Sequence, residues 1–365
     1  MIVHIDKYSI QTIMNMELNI DDEWSEFLSI TDGSPTPNNE RAVELPIQSS
    51  TECPKASNIY ISTKTNISYL NIPVNLTDMF WKIPVIGYGM PSEGVVKKQM
   101  KFNLTTREEL EQLQNNLKNY TCVEQNIITS IDNPAGRIKF KDIRKVSIGL
   151  CKKDIVNYRS KKKSAFYNCF VVIVRLQENG LFKEYHVKVF NTGKLEIPGI
   201  QSDQTFYNVL NVVMGILSPY SETPLEVLHD KTHTVLINSN FNCGFYINRE
   251  VMFNLLRVKY KIDCIYDPCS YPGIQCKFFY YKGVNEQSGT QQPGVDGEVS
   301  VSFMVFRTGS VLIVGKCDEY VLRIIYQFLK KILAIEFTQI GVKVANAEAS
   351  SKQQTKKIRR KMINV

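Results

Sequence analysis

The 365-residue sequence contains no apolar run near the roughly 18 residues that a membrane-spanning helix needs, which excludes a helical integral membrane protein. Its start, Met1-Ile-Val-His-Ile-Asp-Lys, lacks the basic-then-apolar pattern of a secretory signal. Histidine is scarce: His4, His186, His229 and His233 are spread apart, with no His-x-x-x-His and no His-Glu-x-x-His. Phosphate-cradling Gly-x-x-x-x-Gly-Lys-Ser/Thr, dinucleotide-binding Gly-x-Gly-x-x-Gly and the Gly-x-Ser-x-Gly elbow are all missing. No carboxylate pair stands out from the charged background. These absences leave no catalytic residue, metal ligand or cofactor to assign, and the expectation is a protein that is not an enzyme.

At 43% hydrophobic and 22% charged residues, the composition is that of a globular chain and excludes collagen-like, coiled-coil and wholly disordered classes. The length suits one large domain or two modest ones. Nine cysteines, an odd and scattered set, read as reduced thiols of a cytosolic or nuclear protein. Their one cluster, Cys264-x4-Cys269-x6-Cys276, lacks the second close pair that a zinc site requires. Small apolar fillers and loop thiols explain it better.

Charge is unevenly distributed. Residues 1–57 carry ten acidic and three basic side chains, net −7, so with a total of +8 the remainder carries +15. Between 91 and 165 stand sixteen Lys/Arg against eight Asp/Glu, and the tail from Lys352 adds Lys356, Lys357, Arg359, Arg360 and Lys361. Basic stretches favour polyanions through counterion release; a solvated surface and a loose tail produce the same pattern. Ser34-Pro-Thr-Pro-Asn-Asn and Gln48-Ser-Ser-Thr read as a flexible linker, preceded by Trp24, Phe27 and Leu28 on one short amphipathic turn.

An internal near-repeat organises the rest. Tyr185-His-Val-Lys-Val-Phe-Asn-Thr-Gly-Lys-Leu-Glu-Ile-Pro-Gly matches Ser302-Phe-Met-Val-Phe-Arg-Thr-Gly-Ser-Val-Leu-Ile-Val-Gly. Each reads as strand, tight turn at Gly193 or Gly309, strand, glycine exit and helix. Phe206, Val209, Leu210, Val213 and Leu217 fall on one helix face, as do Val321, Ile324, Ile325, Phe328 and Ile332. Arg323, Gln327 and Lys331 are left for the opposite side. Helices covering one side of a hairpin imply a sheet whose other face is free. Upstream, Asn58-Ile-Tyr-Ile-Ser-Thr-Lys-Thr-Asn66 and Thr232-His-Thr-Val-Leu-Ile-Asn-Ser-Asn begin the two halves, with helices expected around Leu76–Ile83 and Arg249–Val258. The halves differ by an insertion of about 88–160, in which Thr106-x-x-Glu109 forms a capping box ahead of Leu110, Leu113 and Leu117.

These segments resemble the TATA-box-binding-protein-like proteins of large nucleocytoplasmic DNA viruses. Tyr266-Asp-Pro-Cys-Ser-Tyr-Pro-Gly-Ile is similar to the family's Tyr-Glu-Pro-x-x-Phe-Pro-Gly-Leu, and Phe303-Met-Val-Phe306-Arg-Thr-Gly-Ser-Val-Leu-Ile-Val-Gly to Ile-Phe-x-Ser-Gly-Lys-x-x-x-Thr-Gly. Asn58 to Asn66 resembles Asn-Ile-Val-Ser-Thr-Val-Asn. The likeness covers roughly 58–90 and 164–337. It implies an α+β saddle of two pseudo-symmetric repeats, a curved antiparallel sheet with helices on the convex face. Its domains are an acidic arm over 1–57, repeat 1 over 58–218 with the insertion, a linker over 219–231, repeat 2 over 232–337 and a basic tail over 338–365.

The resemblance also implies a site. Asn66 and Asn238 correspond to the family's central minor-groove asparagines, or else cap a strand end or turn. Phe190 and Phe306 correspond to the aromatic wedge before each turn, and Tyr271 to the second wedge of the later repeat; a core role is the alternative for all three. The first-repeat counterpart of Tyr271 lies within Phe166-Tyr-Asn-Cys169-Phe170, and alignment of the following Val-Ile-Val-Arg175 points to Cys169. Leu312 and Val314 stand where the family points Val and Thr at the groove, and Glu196 and Pro198 take those places in the first repeat. Cys269-Ser270 replaces the acidic pair with which the family contacts a general factor.

The function this implies is a viral transcription initiation factor that binds AT-rich promoter DNA in the minor groove through the concave sheet. Its partners would be duplex DNA and the viral RNA polymerase or initiation factors, with no membrane. Its location would be the virion and the viral factory of the host cytoplasm, or the host nucleus. Two other readings remain: an interaction scaffold that has lost TATA-specific binding, and a virion protein that coats nucleic acid without sequence preference.

Overall fold

The computed structural model describes residues 44–46, 52–156, 167–292 and 298–344. Trp24, Phe27, Leu28 and most of the acidic arm, and the tail lysines and arginines from Lys352, lie outside the described residues. The chain divides into two compact units, and Pro46–Lys343 belong to the one that carries the elements discussed below; a short strand β1 spans Glu44–Pro46.

The first half comprises β2 (Tyr60–Tyr69), α1 (Leu76–Lys82), β3 (Gly94–Leu104), α2 (Arg107–Leu117), β4 (Val123–Asp132), β5 (Phe140–Gly149), α3 (Lys152–Val156), β6 (Cys169–Glu178), β7 (Leu181–Phe190), β8 (Lys194–Ile200) and α4 (Asp203–Leu217). The second comprises β9 (His233–Asn242), β10 (Tyr246–Ile247), α5 (Arg249–Asn254, prolonged by a π turn over Leu255–Lys259), β11 (Asp263–Ile265), β12 (Ile274–Tyr281), β13 (Glu298–Val305), β14 (Ser310–Gly315), α6 (Glu319–Ile335), α7 (Phe337–Ile340) and β15 (Gly341–Val344).

Twelve strands form one antiparallel sheet in the order β11-β12-β13-β14-β9-β2-β8-β7-β6-β3-β5-β4. The first strand of each half lies at the centre, β2 against β9. Outward from them, β8-β7-β6-β3 mirrors β14-β13-β12-β11, while β5 and β4 prolong the first side alone. The stretch 94–104, expected inside the insertion, is thus β3, the counterpart of β11. The additional elements begin after Leu104.

Local sequence explains the helices. Thr106 and Glu109 close the expected capping box on α2, and the Ser202 hydroxyl accepts the Thr205 amide at the start of α4; such caps contribute about 1 kcal/mol each. Phe206, Val209, Leu210, Val213 and Leu217 are all buried, as expected. On α6, Val321, Ile325 and Ile332 are buried and Ile324 and Phe328 half-buried, with Arg323, Gln327 and Lys331 exposed. Each fully buried aliphatic or aromatic side chain contributes roughly 1.5–3 kcal/mol.

Two hydrophobic cores result, one per half. In the first, Phe80 of α1, Leu113 of α2 and Phe206 of α4 pack on Val172, Val187 and Leu195. In the second, Met252 of α5, Ile325 of α6 and Phe337 of α7 pack on Phe278, Phe303 and Ile313. Both cores use alternate strand residues and so lie on one face of the sheet. Among the described residues, two segments cover part of the opposite, open face near β3 and β6: α3, and the stretch 86–90, whose Tyr88 and Met90 carbonyls accept from Arg175. Ile173, between the core residues Val172 and Val174, joins Val96 and Cys151 in a separate cluster. Lys97, directly opposite Ile173, is bound by Asp154 of α3 at 2.8 Å. The five-residue α3 therefore shields the open face at the β3–β6 margin.

Candidate nucleic-acid interface

The two Thr-Gly turns are equivalent at the level of single hydrogen bonds. The Gly193 amide donates to the Phe190 carbonyl and the Gly309 amide to that of Phe306, both at 3.0 Å. The Gly193 carbonyl accepts the Leu70 amide at 2.8 Å, and the Gly309 carbonyl accepts that of Cys243 at 2.9 Å. Val74 donates to Asn191, and Ile247 to Arg307. Both glycines have φ +80°, and a Cβ would stand 2.5 Å from the Ile72 carbonyl oxygen or 2.2 Å from that of Phe245. Each turn thus needs glycine for both conformation and space.

The same correspondence sorts the candidate residues by face, because directly opposed residues share one. Ile237 belongs to the second core, so its neighbours Leu236 and Asn238 are on the open face, opposite Thr65 and Thr63. Asn238 is half-buried and its amide donates to the Thr63 hydroxyl at 3.1 Å. Asn66 differs: it opposes the core residue Ile197, is 5% exposed and accepts from the Thr234 hydroxyl. Asn66 is a polar group of the helix face and is not aimed at the open face as expected. Its counterpart across the centre is Ser239, whereas Asn238 corresponds to Thr65.

Leu312 and Val314 alternate with the core residues Val311 and Ile313 and lie on the open face, 5% exposed each. Leu312 stands between Asn240 and Met304, and Val314 between Asn238 and Ser302. Glu196, at the place of Leu312, opposes Ile67 and Lys188. Its carboxylate is held by Lys188 at 2.6 Å and Lys194 at 3.6 Å, so this negative charge is neutralised by its neighbours.

Phe190 is half-buried on the open face, with the Lys194 ammonium 4.8 Å from its ring centroid. Phe306 is 6% exposed and meets half-buried Tyr271 edge-on at 6.0 Å. Cys169 faces Phe190 across the β6–β7 ladder, and Gly273 lies against the Phe306 ring. Cys169 therefore corresponds to Gly273 and not to the second wedge. The residue matching Tyr271 is Tyr167, two positions earlier, 53% exposed beneath the Lys101 ammonium at 3.6 Å. The run containing it was visible in the sequence; the missing Pro-Gly after it hid which aromatic mattered.

Beyond Tyr167 the open face is basic. Lys101 directly opposes Lys145, an arrangement of like charges that is unfavourable without an anion. Burial, and next the nearby Lys97, hold the Lys145 ammonium below its ordinary pKa. The open face thus combines small, apolar and amide side chains at the centre and in the second half with lysines in the first. Among the described residues no cluster of His, Cys, Asp or Glu fits a metal ion, and no helix is long and apolar enough to cross a membrane.

No protein-family model matches the chain. It is 24% identical over 214 residues to a TATA-box-binding protein-like protein of Acanthamoeba polyphaga mimivirus, a match over 52% of this chain and 54% of that protein. The chain therefore spans about half the length of the relative it matches. Among solved structures, Methanococcus jannaschii TBP matches over 76% of this chain and 98% of its own, at 12% identity and a TM-score of 0.33. The chain resembles a TATA-box-binding-protein-like protein of a large DNA virus, and its fold is of the expected α+β kind, with two pseudo-symmetric repeats sharing one sheet.

Proposed function

We propose that the protein is a non-enzymatic viral transcription initiation factor that holds promoter DNA in the minor groove against the open face of its sheet. The observation that carries this reading is the open face itself. Its centre is built from equivalent strands of two halves, β2 with β8 and β9 with β14, and the main helices stand on the other side. A duplex has its own local dyad, so a pseudo-dyad protein surface meets both strands alike. Phe190 and Phe306, two residues before the threonines of the paired turns, are the wedges. Inserting apolar side chains unstacks base steps at a few kcal/mol each, recovered by the added contact of a bent duplex. Flexible steps such as TA lower that cost and favour AT-rich sites. Lys188, Lys194, Lys101 and Lys145 contact phosphates. The partners are the viral polymerase or its initiation factors, and the site of action is the virion and the viral factory or nucleus of the host.

Retention of AT-rich and GC-rich duplexes across a salt series tests the proposal. Preferential retention of the AT-rich duplex at low salt, with binding falling steeply as salt rises, is expected. Equal affinity for both would favour a coat protein without sequence preference. A free duplex beside folded protein would favour the second reading, an interaction scaffold of the transcription machinery. The α3 cover over the first half and the salt-bridged Glu196 are the observations on that side.

A further inference from the structure

At the outer margin of the second half, Cys264 of β11 and Cys276 of β12 are Cα partners in antiparallel register. Directly opposed antiparallel residues stand about 4.5 or 5.5 Å apart at Cα, and both spacings fall within the 4.4–6.8 Å range that a disulfide spans. Both side chains point to the helix face, where they join the second core, and the Cys276 thiol lies 3.9 Å from the Ile274 carbonyl of its own strand. Between them runs the turn that carries Tyr271 against Phe306. β11 is only three residues long and ends the sheet; besides its pairing with β12, the base of that turn is held by Arg249, which donates to the Pro272 carbonyl and lies over the Tyr266 ring, and by Phe253 against Tyr266.

We propose that Cys264 and Cys276 form a reversible disulfide that fastens β11 to β12 and fixes the loop bearing Tyr271. Glutathione disulfide serves as the oxidant. The Cys264 thiolate attacks one sulfur of glutathione disulfide, whose S–S bond breaks and releases one glutathione thiolate. Cys276 then gives up its proton to the released glutathione thiolate, and its sulfur attacks the Cys264 sulfur, forming the protein S–S bond and expelling the second glutathione, which takes up the proton that Cys264 had lost. Two protein thiols are oxidised and one glutathione disulfide is reduced to two glutathiones.

The order of attack follows from the surroundings. The neighbouring Cys276 thiol, and next the nearby Arg257 guanidinium, hold the Cys264 thiol below its ordinary pKa. Burial raises that of Cys276 well above it. The more thiolate-like sulfur attacks first and the other resolves the mixed disulfide. The proposal concerns the thiols and the loop alone and does not depend on DNA binding.

The test takes the full chain through glutathione buffers stepped from reduced to oxidised, followed by acid quenching, alkylation and peptide mapping. A Cys264–Cys276 cross-link is expected at a lower oxidised fraction than that needed to place glutathione on exposed Cys122, because the second step is intramolecular. Cys276→Ser is expected to trap glutathione on Cys264. With the bond closed, proteolysis within 266–273 should slow about tenfold or more and recover on reduction, as expected when a cross-link restrains local opening. Two reduced thiols at a poise that glutathionylates Cys122 and Cys269, or a Cys264–Cys269 bond instead, would overturn the proposal. Glutathione on Cys276 in a Cys264→Ser chain, to the extent seen on Cys264 in the Cys276→Ser chain, would overturn the order of attack.

Discussion

In the first half of the sheet, the strand beyond β6 is eleven residues long, is flanked by the β4–β5 hairpin and buries Lys98 on the helix face. In the second half the equivalent strand has three residues, ends the sheet and places Cys264 at the position of Lys98. The Lys98 ammonium donates to the carbonyls of Phe80 and Ile83, both at 2.7 Å, at the end of α1, and lies near the faces of the Phe80 and Tyr120 rings. Tyr120 follows α2, so the added elements of the first half are tied to its core by a buried cation. The second half uses a buried anion instead: Glu336, 0% exposed, accepts from the Lys259 ammonium and, at 2.6 Å, from the Tyr260 hydroxyl just ahead of β11, and the margin itself is a short ladder with a pair of opposed thiols. A shared framework thus supports two margins with different chemistry: one is extended and anchored by a buried cation, the other short and anchored by a buried carboxylate beside a pair of thiols.

The open faces differ in the same sense. Glu196 with Lys188 and Lys194 occupies the first half where Leu312, with Met304 and Asn240, occupies the second. Under the proposed function the second half supplies the apolar grip and the first the phosphate contacts. Replacing Phe190 and Phe306 together by alanine should have the largest effect, removing duplex bending while leaving much of the salt-sensitive affinity. Bending by the double variant equal to that of the parent would remove both wedges from the scheme.

Quasi-equivalence of the framework is sharpened by the turns. Gly193→Ala and Gly309→Ala should each cost roughly 2–4 kcal/mol in urea unfolding, from the left-handed conformation plus a carbonyl clash. Gly180→Ala, with φ +77° but open space around it, should cost only about 1–2 kcal/mol. Unequal losses at Gly193 and Gly309 would break the equivalence.

The contrast at the margins predicts a smaller effect. Lys98→Met should cost about 1–3 kcal/mol, because two carbonyls lose their donor. Burial holds the Lys98 ammonium down at about 8. Between there and the ordinary lysine value the unfolded chain binds more protons, so this group makes stability rise with pH across that window. Comparing parent and variant stabilities from pH 8 upward should show that rise in the parent only. The smallest effect is expected from Glu196→Gln, which frees two lysines and should raise low-salt duplex affinity by roughly two- to fivefold; weaker binding would assign Glu196 a positive role.

Much of the framework was legible because its signals are local and periodic. The stripes of α4 and α6, the capping box of α2 and the two Thr-Gly turns each depend on residues a few positions apart. The features that escaped depend on register or on tertiary contact. A strand places neighbouring residues on opposite faces, so a single-position difference put Asn66 on the helix side and left Thr65 as the counterpart of Asn238. β3 was hidden because Lys97, Lys98 and Lys101 interrupt its apolar alternation, and two of these lysines are buried only through Asp154 and the end of α1. The α3 cover likewise depends on a contact between Lys97 and Asp154, fifty-seven residues apart. Glu196 was legible as a wrong-sign residue, but its neutralisation by Lys188 required the β7–β8 pairing.

Bending of an end-labelled AT-rich duplex, followed by fluorescence energy transfer over a salt series with the full chain, addresses the function of the open face most directly. Shortening of the end-to-end distance at low salt, lost as salt rises, is the result expected. A duplex that is bound yet stays straight, or is left unbound by folded protein at low salt, would contradict it.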